Sequence, residues 1–87
     1  TVIVNIEAVS EELDKIDQLE RDFAARPEVQ QCYYVTGEWD FVLVIVVADM
    51  TEYDRLTREL FFPQANVKRF KSLVVMRRTK ATLNVSL

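Results

Sequence analysis

The residues best suited to bind a small ligand lie in one short stretch of the 87-residue chain, Thr36-Gly37-Glu38-Trp39-Asp40. Asp40 lies between Trp39 and Phe41, in a segment that otherwise has the composition of a strand, where aspartate is unfavourable. Its carboxylate could accept hydrogen bonds from backbone amides of its own turn, or it could bind the ammonium group of a ligand at the mouth of the turn. The residue type favours the structural role and leaves the binding role open.

The composition excludes most catalytic and metal chemistry. The chain has no histidine, which rules out Ser-His-Asp and Cys-His catalysis and histidine metal sites. A single glycine cannot form a phosphate-binding loop or a dinucleotide fingerprint. Cys32 is alone, so it cannot form a disulfide within the chain and is expected to be a packed thiol. We therefore predict no catalytic residue, no metal and no cofactor.

Length and charge limit the remaining possibilities. A chain of this length forms one domain with a modest core. The net charge of −3 argues against a general affinity for nucleic acid or anionic lipid. The apolar runs are far shorter than the roughly 20 residues that cross a bilayer, and no signal-peptide pattern is present. These features predict a cytoplasmic protein.

A β-hairpin is predicted to present the candidate residues. Gly37 can adopt a positive φ angle, so the turn is expected at Thr36-Gly37-Glu38, between strands at 28–36 and 39–48. Residues 42–47 are apolar at every position, whereas a strand with one wet face alternates. We therefore expect both faces of the third strand to be covered.

Two amphipathic helices are predicted, each with start and stop signals. Ser10 is a suitable N-cap for the first helix, which Pro27 ends. Asp49 is the predicted N-cap of the second helix, Glu52 follows it in capping-box position, and Pro63 ends that helix.

The remaining segments have the patterns of strands. Residues 1–8 alternate with one apolar face, and residues 67–80 form a last strand centred on Leu73-Val74-Val75-Met76. The tail, 82–87, alternates as an extra edge strand would.

The predicted element order is βαββαβ, which is typical of an α+β ferredoxin-like sandwich: a four-stranded antiparallel sheet with two helices on one face. The third and fourth strands are apolar on both sides, yet the helices cover only one face. No segment remains to cover the other face, so we expect a homodimer that forms through the sheet.

The chain resembles the effector-binding C-terminal domain of the Lrp/AsnC (feast/famine) transcriptional regulators, whose hairpin reads V-T-G-x-aromatic-D-aromatic. The residues that carry the resemblance are Val35-Thr36-Gly37-Glu38-Trp39-Asp40-Phe41, Asp49-Met50, Asn66-Val67, Leu73-Val74-Val75-Met76 and the tail Lys80–Leu87. The resemblance implies a domain that dimerises through its sheet and assembles further, into tetramers or octamers. It also implies a small effector, usually an amino acid, bound between dimers beside the hairpin.

Carried over by position, the resemblance assigns the effector pocket. Asp40 is its candidate partner for the α-amino group, and the amides of the tight turn suit the carboxylate. The expected lining comprises Thr36, Gly37, Glu38, Trp39, Asp40, Tyr34, Met50, Leu73, Val74 and Val75.

In one respect the chain departs from the family pattern, because it opens with a strand where family members carry a helix-turn-helix DNA-binding domain. We expect residues 1–87 to be a single effector-binding and oligomerisation domain, either cut from a longer regulator or acting as a stand-alone assembly domain. DNA would then be a partner only through the missing helix-turn-helix domain.

Two other functions share this element order. An RNA-binding RRM displays aromatic residues on its central strands, but the first strand here has none, and Glu38 and Asp40 would face phosphate. A dimeric α/β-barrel enzyme would need buried polar groups in a substrate cavity, and the predicted inner face has almost none. A non-catalytic regulatory domain is therefore the preferred interpretation.

Overall fold

The computed structural model describes residues 1–81 and has the predicted βαββαβ order. Its elements are β1 (Val2–Ala8), α1 (Leu13–Ala24), β2 (Val29–Tyr34), β3 (Phe41–Ile45), α2 (Met50–Leu60) and β4 (Val67–Val74). No helix within 1–81 is long and apolar enough to cross a membrane.

The four strands form one antiparallel sheet in the order β2-β3-β1-β4. β1 is central: Ile6 lies opposite Phe41 of β3 and Phe70 of β4, and Val2 lies opposite Ile45 and Val74. This is the ferredoxin-like topology that the sequence predicts. The β1–β4 register shifts between Glu7 and Ala8.

The hydrophobic core lies between the helices and one face of the sheet. Alternate residues of β1 and β3 are buried on this face, as period-two patterning requires. Phe23 of α1 packs edge to face against Phe41 of β3, with ring centroids 5.5 Å apart, and against Phe61, with centroids 5.8 Å apart. All three rings are fully buried, so they join both helical segments to the sheet.

The opposite face of the sheet carries apolar side chains that no element within 1–81 buries. Ile3 lies between Val44 and Leu73 in the strand register, and Tyr33 lies opposite Val42. Leu73 is 44% exposed and Tyr33 is 51% exposed. We call this surface the open face. The prediction that a second copy covers it stays a prediction.

The two helix starts differ in how well the sequence predicts them. Asp49 caps α2 as predicted, because its Oδ1 accepts a hydrogen bond from the amide of Glu52 (2.8 Å). The prediction that Ser10 caps α1 is wrong: the helix begins at Leu13, and Glu12 occupies the N-cap position. Ser10 is instead held by Asn66, which accepts from its amide (2.7 Å) and donates to its carbonyl oxygen (3.1 Å).

All four strands are shorter than predicted, and the differences are largest at the ends of β3 and β4, which stop where their partner β1 begins. Val2 is the first residue of β1 and lies opposite Ile45 and Val74, so β3 ends before residue 48 and β4 before residue 80. The Val75 amide still donates to the Thr1 carbonyl oxygen (3.0 Å). The edge strand predicted at 82–87 lies outside the described residues.

Candidate functional site

The connection between β2 and β3 is a six-residue loop, 35–40, and the predicted three-residue turn is wrong. The Val35 amide donates to the Asp40 carbonyl oxygen, and the Asp40 amide donates to the carbonyl oxygen of Ile6 in β1, both at 2.8 Å. Both ends of the loop are therefore held, and residues 36–39 extend beyond the sheet. Gly37 has a φ of +126°, which is the positive value that the sequence predicts.

Asp40 joins this loop to the centre of the sheet. Its carboxylate Oδ2 accepts a hydrogen bond from the backbone amide of Ala8 (2.7 Å), and the residue is 9% exposed. Ala8 lies beside the register shift of β1, and the bond provides a partner for its buried amide. The predicted bonds to amides of its own turn are therefore replaced by one to a residue 32 positions away. The other oxygen, Oδ1, accepts no hydrogen bond from the described residues.

Arg69 of β4 holds the loop from the open face, in a cluster that the sequence analysis missed. Its Nε donates to Glu7 Oε1 (2.7 Å) and its Nη2 donates to Glu38 Oε1 (3.2 Å). Its Cζ lies 4.6 Å from the centre of the Trp39 ring, in cation–π geometry. Glu7 and Arg69 lie opposite each other in the β1–β4 register, which only correct strand pairing could have revealed.

The ion pair changes the acid–base properties of both partners. The hydrogen bond from Arg69 lowers the pKa of the Glu7 carboxyl, although partial burial of that carboxyl opposes the effect. The same bond raises the pKa of the Arg69 guanidinium. Glu7 therefore keeps its negative charge, and its hold on Arg69, into more acidic conditions than an isolated glutamate would.

Cys32 has the properties of a packed thiol. It is half-buried in β2 and packs against the hydrophobic core. Burial raises the pKa of its thiol, with a smaller contribution from the negative charge of Glu20. A thiol that stays protonated is a poor nucleophile and a poor metal ligand.

The structure separates the ten predicted pocket residues into two groups. Tyr34 packs against Phe41 with ring centroids 5.3 Å apart, at the same end of the sheet as the loop. Met50, Leu73, Val74 and Val75 lie at the opposite end, where β3 leads into α2 and β4 ends. Through the strand register Tyr34 is level with Ile6 and Leu73 with Ile3, so the two groups are at least three residues apart along β1, roughly 10 Å at about 3.3 Å per residue. A single chain therefore does not bring the ten residues together.

A depression of about 770 Å³ lies on the open face at the second of these ends. Ile3, Val44 and Val75 form its apolar floor, and residues 76–81 form one wall. The depression is thus part of the uncovered sheet surface beside the end of β4, with an apolar floor.

A ferredoxin-like sheet with one open face and a carboxylate-bearing loop at its end defines a small α+β sandwich domain. The chain belongs to the Lrp/AsnC family, since the model of the Lrp/AsnC ligand binding domain matches residues 1–85. This family consists of transcriptional regulators, and the resemblance noted in the sequence is confirmed.

Relatives and solved structures agree with this assignment. The chain is 40% identical to an uncharacterized HTH-type transcriptional regulator of Sinorhizobium fredii, over 98% of this chain and 50% of that protein. It is 33% identical to the leucine-responsive regulatory protein of Haemophilus influenzae, over 93% of this chain and 49% of that protein. The chain thus spans about half the length of these curated relatives.

A solved structure confirms the fold. The crystal structure of a transcriptional regulator from Neisseria meningitidis in complex with L-Met matches this chain with a TM-score of 0.88. The two sequences are 20% identical, and the match covers 98% of this chain and 55% of that one. At this identity the likeness shows the shared fold alone.

Proposed function

We propose that this domain binds a small effector, an amino acid, beside the 35–40 loop and, through its assembly, regulates transcription by the protein that carries it. The observation that carries the proposal is the geometry of the loop. The loop is closed by the Val35–Asp40 hydrogen bond and anchored to β1 through Asp40, and its tip extends beyond the sheet. Asp40 Oδ1 accepts no hydrogen bond from residues 1–81. The amino-acid complex of a regulator with the same fold supports the choice of ligand.

An amino acid needs a negative partner for its ammonium group and hydrogen-bond donors for its carboxylate. In the proposed site Asp40 Oδ1 binds the ammonium group, and backbone amides of residues 36–39 bind the carboxylate. Tyr34, the last residue of β2, and Trp39, within the loop, provide apolar surface for the effector side chain. The exposed fraction of Tyr34 is 56%, which leaves its ring accessible to a ligand.

A second copy would complete the pocket. Met50 and Leu73 are 51% and 44% exposed at the far end of the sheet, so they can line the pocket only as residues of another subunit. Pairing of open faces would also bury the apolar row of Ile3, Val44 and Leu73. We therefore propose a homodimer formed through the sheet, with effector sites between dimers in a tetramer or octamer.

Regulation would follow from a difference in affinity. An effector that contacts two dimers binds the larger assembly more tightly, so it shifts the population toward that assembly. By linkage, the assembly raises the affinity for the effector by the same factor. In a longer regulator, DNA-binding domains joined to this domain would be brought into a different spacing.

The test is isothermal calorimetry with L-methionine and L-leucine, then with the other standard amino acids, alongside light scattering of the same samples. At least one amino acid is expected to bind and to change the mass distribution. Asp40→Asn removes the carboxylate charge and retains an oxygen for the Ala8 amide. A lost charged hydrogen bond of about 1.5–3 kcal/mol corresponds to roughly 10- to 100-fold weaker binding.

Asp49→Asn is the matched control, because it makes the same charge change at the helix α2 cap, where asparagine serves as well as aspartate. Its affinity should equal that of the unaltered chain. A chain that binds none of the amino acids, with an unchanged mass, would overturn the proposal. If Asp40→Asn binds as tightly as the control, Asp40 does not hold the ammonium group.

A further inference from the structure

Arg69 makes contacts that connect three separate parts of the domain. It belongs to β4, its Nε bonds Glu7 of β1, and its Nη2 bonds Glu38 at the tip of the 35–40 loop. Its guanidinium also lies over the ring of Trp39, the only tryptophan in the chain. The planar guanidinium thus donates two hydrogen bonds from its edges while its face stacks on the Trp39 ring, and a lysine ammonium has no such planar geometry.

The two ion pairs of Arg69 differ in strength. The bond to Glu7 is short and its carboxylate side chain is only 22% exposed, whereas Glu38 is 70% exposed and its bond is 0.5 Å longer (3.2 Å against 2.7 Å). Exposed pairs contribute little and partly sheltered pairs contribute more. Glu7 therefore anchors the guanidinium to the sheet, and the weaker bond to Glu38 is the one that breaks and re-forms more easily.

We propose that Arg69 is a positioning residue for the 35–40 loop: anchored on Glu7, it clasps Glu38 and Trp39 and so sets where the loop amides point. The loop backbone is held at its two ends by the hydrogen bonds from Val35 to Asp40 and from Asp40 to Ile6, and residues 36–39 make no backbone hydrogen bond to the described part of the sheet. Glu38 and Trp39, the residues that Arg69 contacts, belong to this portion of the loop. In this role Arg69 does not itself contact an effector.

The neighbouring residue provides a contrast. Lys68 precedes Arg69 in β4 and carries the same charge, but its Nζ lies 4.0 Å from Glu7 Oε1 at the limit of an ion pair. Among residues 1–81, Lys68 makes no ion pair or side-chain hydrogen bond with the loop. An effect of general surface charge would be shared by both residues, whereas a clasp depends on Arg69 alone.

The inference rests on the proposed function for its purpose, but its test uses the protein without any ligand. Because Trp39 is the only tryptophan, its fluorescence reports the loop directly. In Arg69→Met, the loss of a cation–π contact should lower the ratio of clasped to open loop about two- to fivefold. We expect the emission of Trp39 to shift to longer wavelength and acrylamide to quench it more strongly.

Three further variants make the test specific. Lys68→Met removes the same charge and should leave the Trp39 signal unchanged. Arg69→Lys retains the charge without the fork geometry, so it should restore only part of the signal. Glu38→Gln weakens the loop side alone and should give part of the Arg69→Met effect. Circular dichroism and light scattering on each variant test whether fold and mass are retained.

The outcomes separate this inference from the proposed function. Equal quenching in Arg69→Met and the unaltered chain, or equal changes in Lys68→Met and Arg69→Met, would overturn the clasp. A changed mass or a lost fold in Arg69→Met would also overturn it, because the residue would then act on assembly or global stability. A changed Trp39 signal with no amino acid bound by any variant would support the clasp and count against the proposed function alone.

Discussion

Replacement of Asp40 by alanine should destabilise the domain through a single buried donor. Asp40 Oδ2 is bonded to the Ala8 amide at 2.7 Å, and Ala8 is 7% exposed beside the β1–β4 register shift. Alanine cannot accept this bond, and water has little access to the amide. Leaving a buried donor without a partner costs about 1–3 kcal/mol of the free energy of unfolding.

The expected shift in melting temperature follows from the size of the domain. For domains of about 60–100 residues, each kcal/mol lowers Tm by roughly 4–8 °C. Asp40→Ala should therefore melt about 4–24 °C below the unaltered chain, with a central expectation near 10 °C. Circular dichroism at fixed protein concentration measures this, since any assembly makes Tm depend on concentration.

Two matched variants decide whether the hydrogen bond is the cause. Asp40→Asn keeps an acceptor for the Ala8 amide and should lose clearly less stability than Asp40→Ala. Asp17→Ala removes an exposed carboxylate from α1 and should stay within about 0.5 kcal/mol. If Asp40→Ala has the same Tm as Asp17→Ala, the bond to Ala8 contributes nothing measurable to stability, and the structural role assigned to Asp40 is wrong.

Three further predictions follow from the same structure. Gly37→Ala should lower the free energy of unfolding, measured with urea, by about 1–3 kcal/mol, because alanine is strained at a φ of +126°. An added Cβ would meet no atom within 4 Å, so backbone strain is the only expected cost, and an unchanged stability would contradict it. Phe23→Ala should lose about 3–5 kcal/mol, and a smaller loss would show that the ring cluster collapses around the cavity. The pKa of Glu7 is lowered in the folded state, so its stabilising contribution is complete above the unfolded pKa of about 4.3 and is lost as pH falls through the lower folded value. When the pH is lowered from neutral to about 3, the free energy of unfolding should therefore fall less in Glu7→Gln than in the unaltered chain. An equal fall in both proteins would contradict the pairing of Glu7 with Arg69.

Local sequence signals predicted the element order because each signal acts within a few residues. The alternation in β1, the cap at Asp49 and the turn glycine at Gly37 all depend on nearby backbone and side-chain preferences. The same signals predicted a sheet with helices on one side. Where a distant residue competed for the backbone, as Asn66 does for Ser10, the local prediction failed.

The candidate site was predicted by residue type but not by geometry. The sequence singled out Asp40, and its structural role held, although the bonded amide belongs to β1 and not to the turn. Arg69 and Glu7 escaped notice because each is an ordinary surface charge until the register places them opposite each other. The role of the ten pocket residues stays a prediction.

The sequence by itself thus determined the βαββαβ order, the one-sided helical cover and the loop that carries the unusual aspartate, since periodicity and caps are local properties of the chain. Only the tertiary structure decided the strand ends, the length of the loop, the Asp40–Ala8 hydrogen bond and the contacts of Arg69 with Glu7 and Glu38. The physical reason is register: a strand extends as far as its partner does, and side chains meet across strands only after that pairing is set.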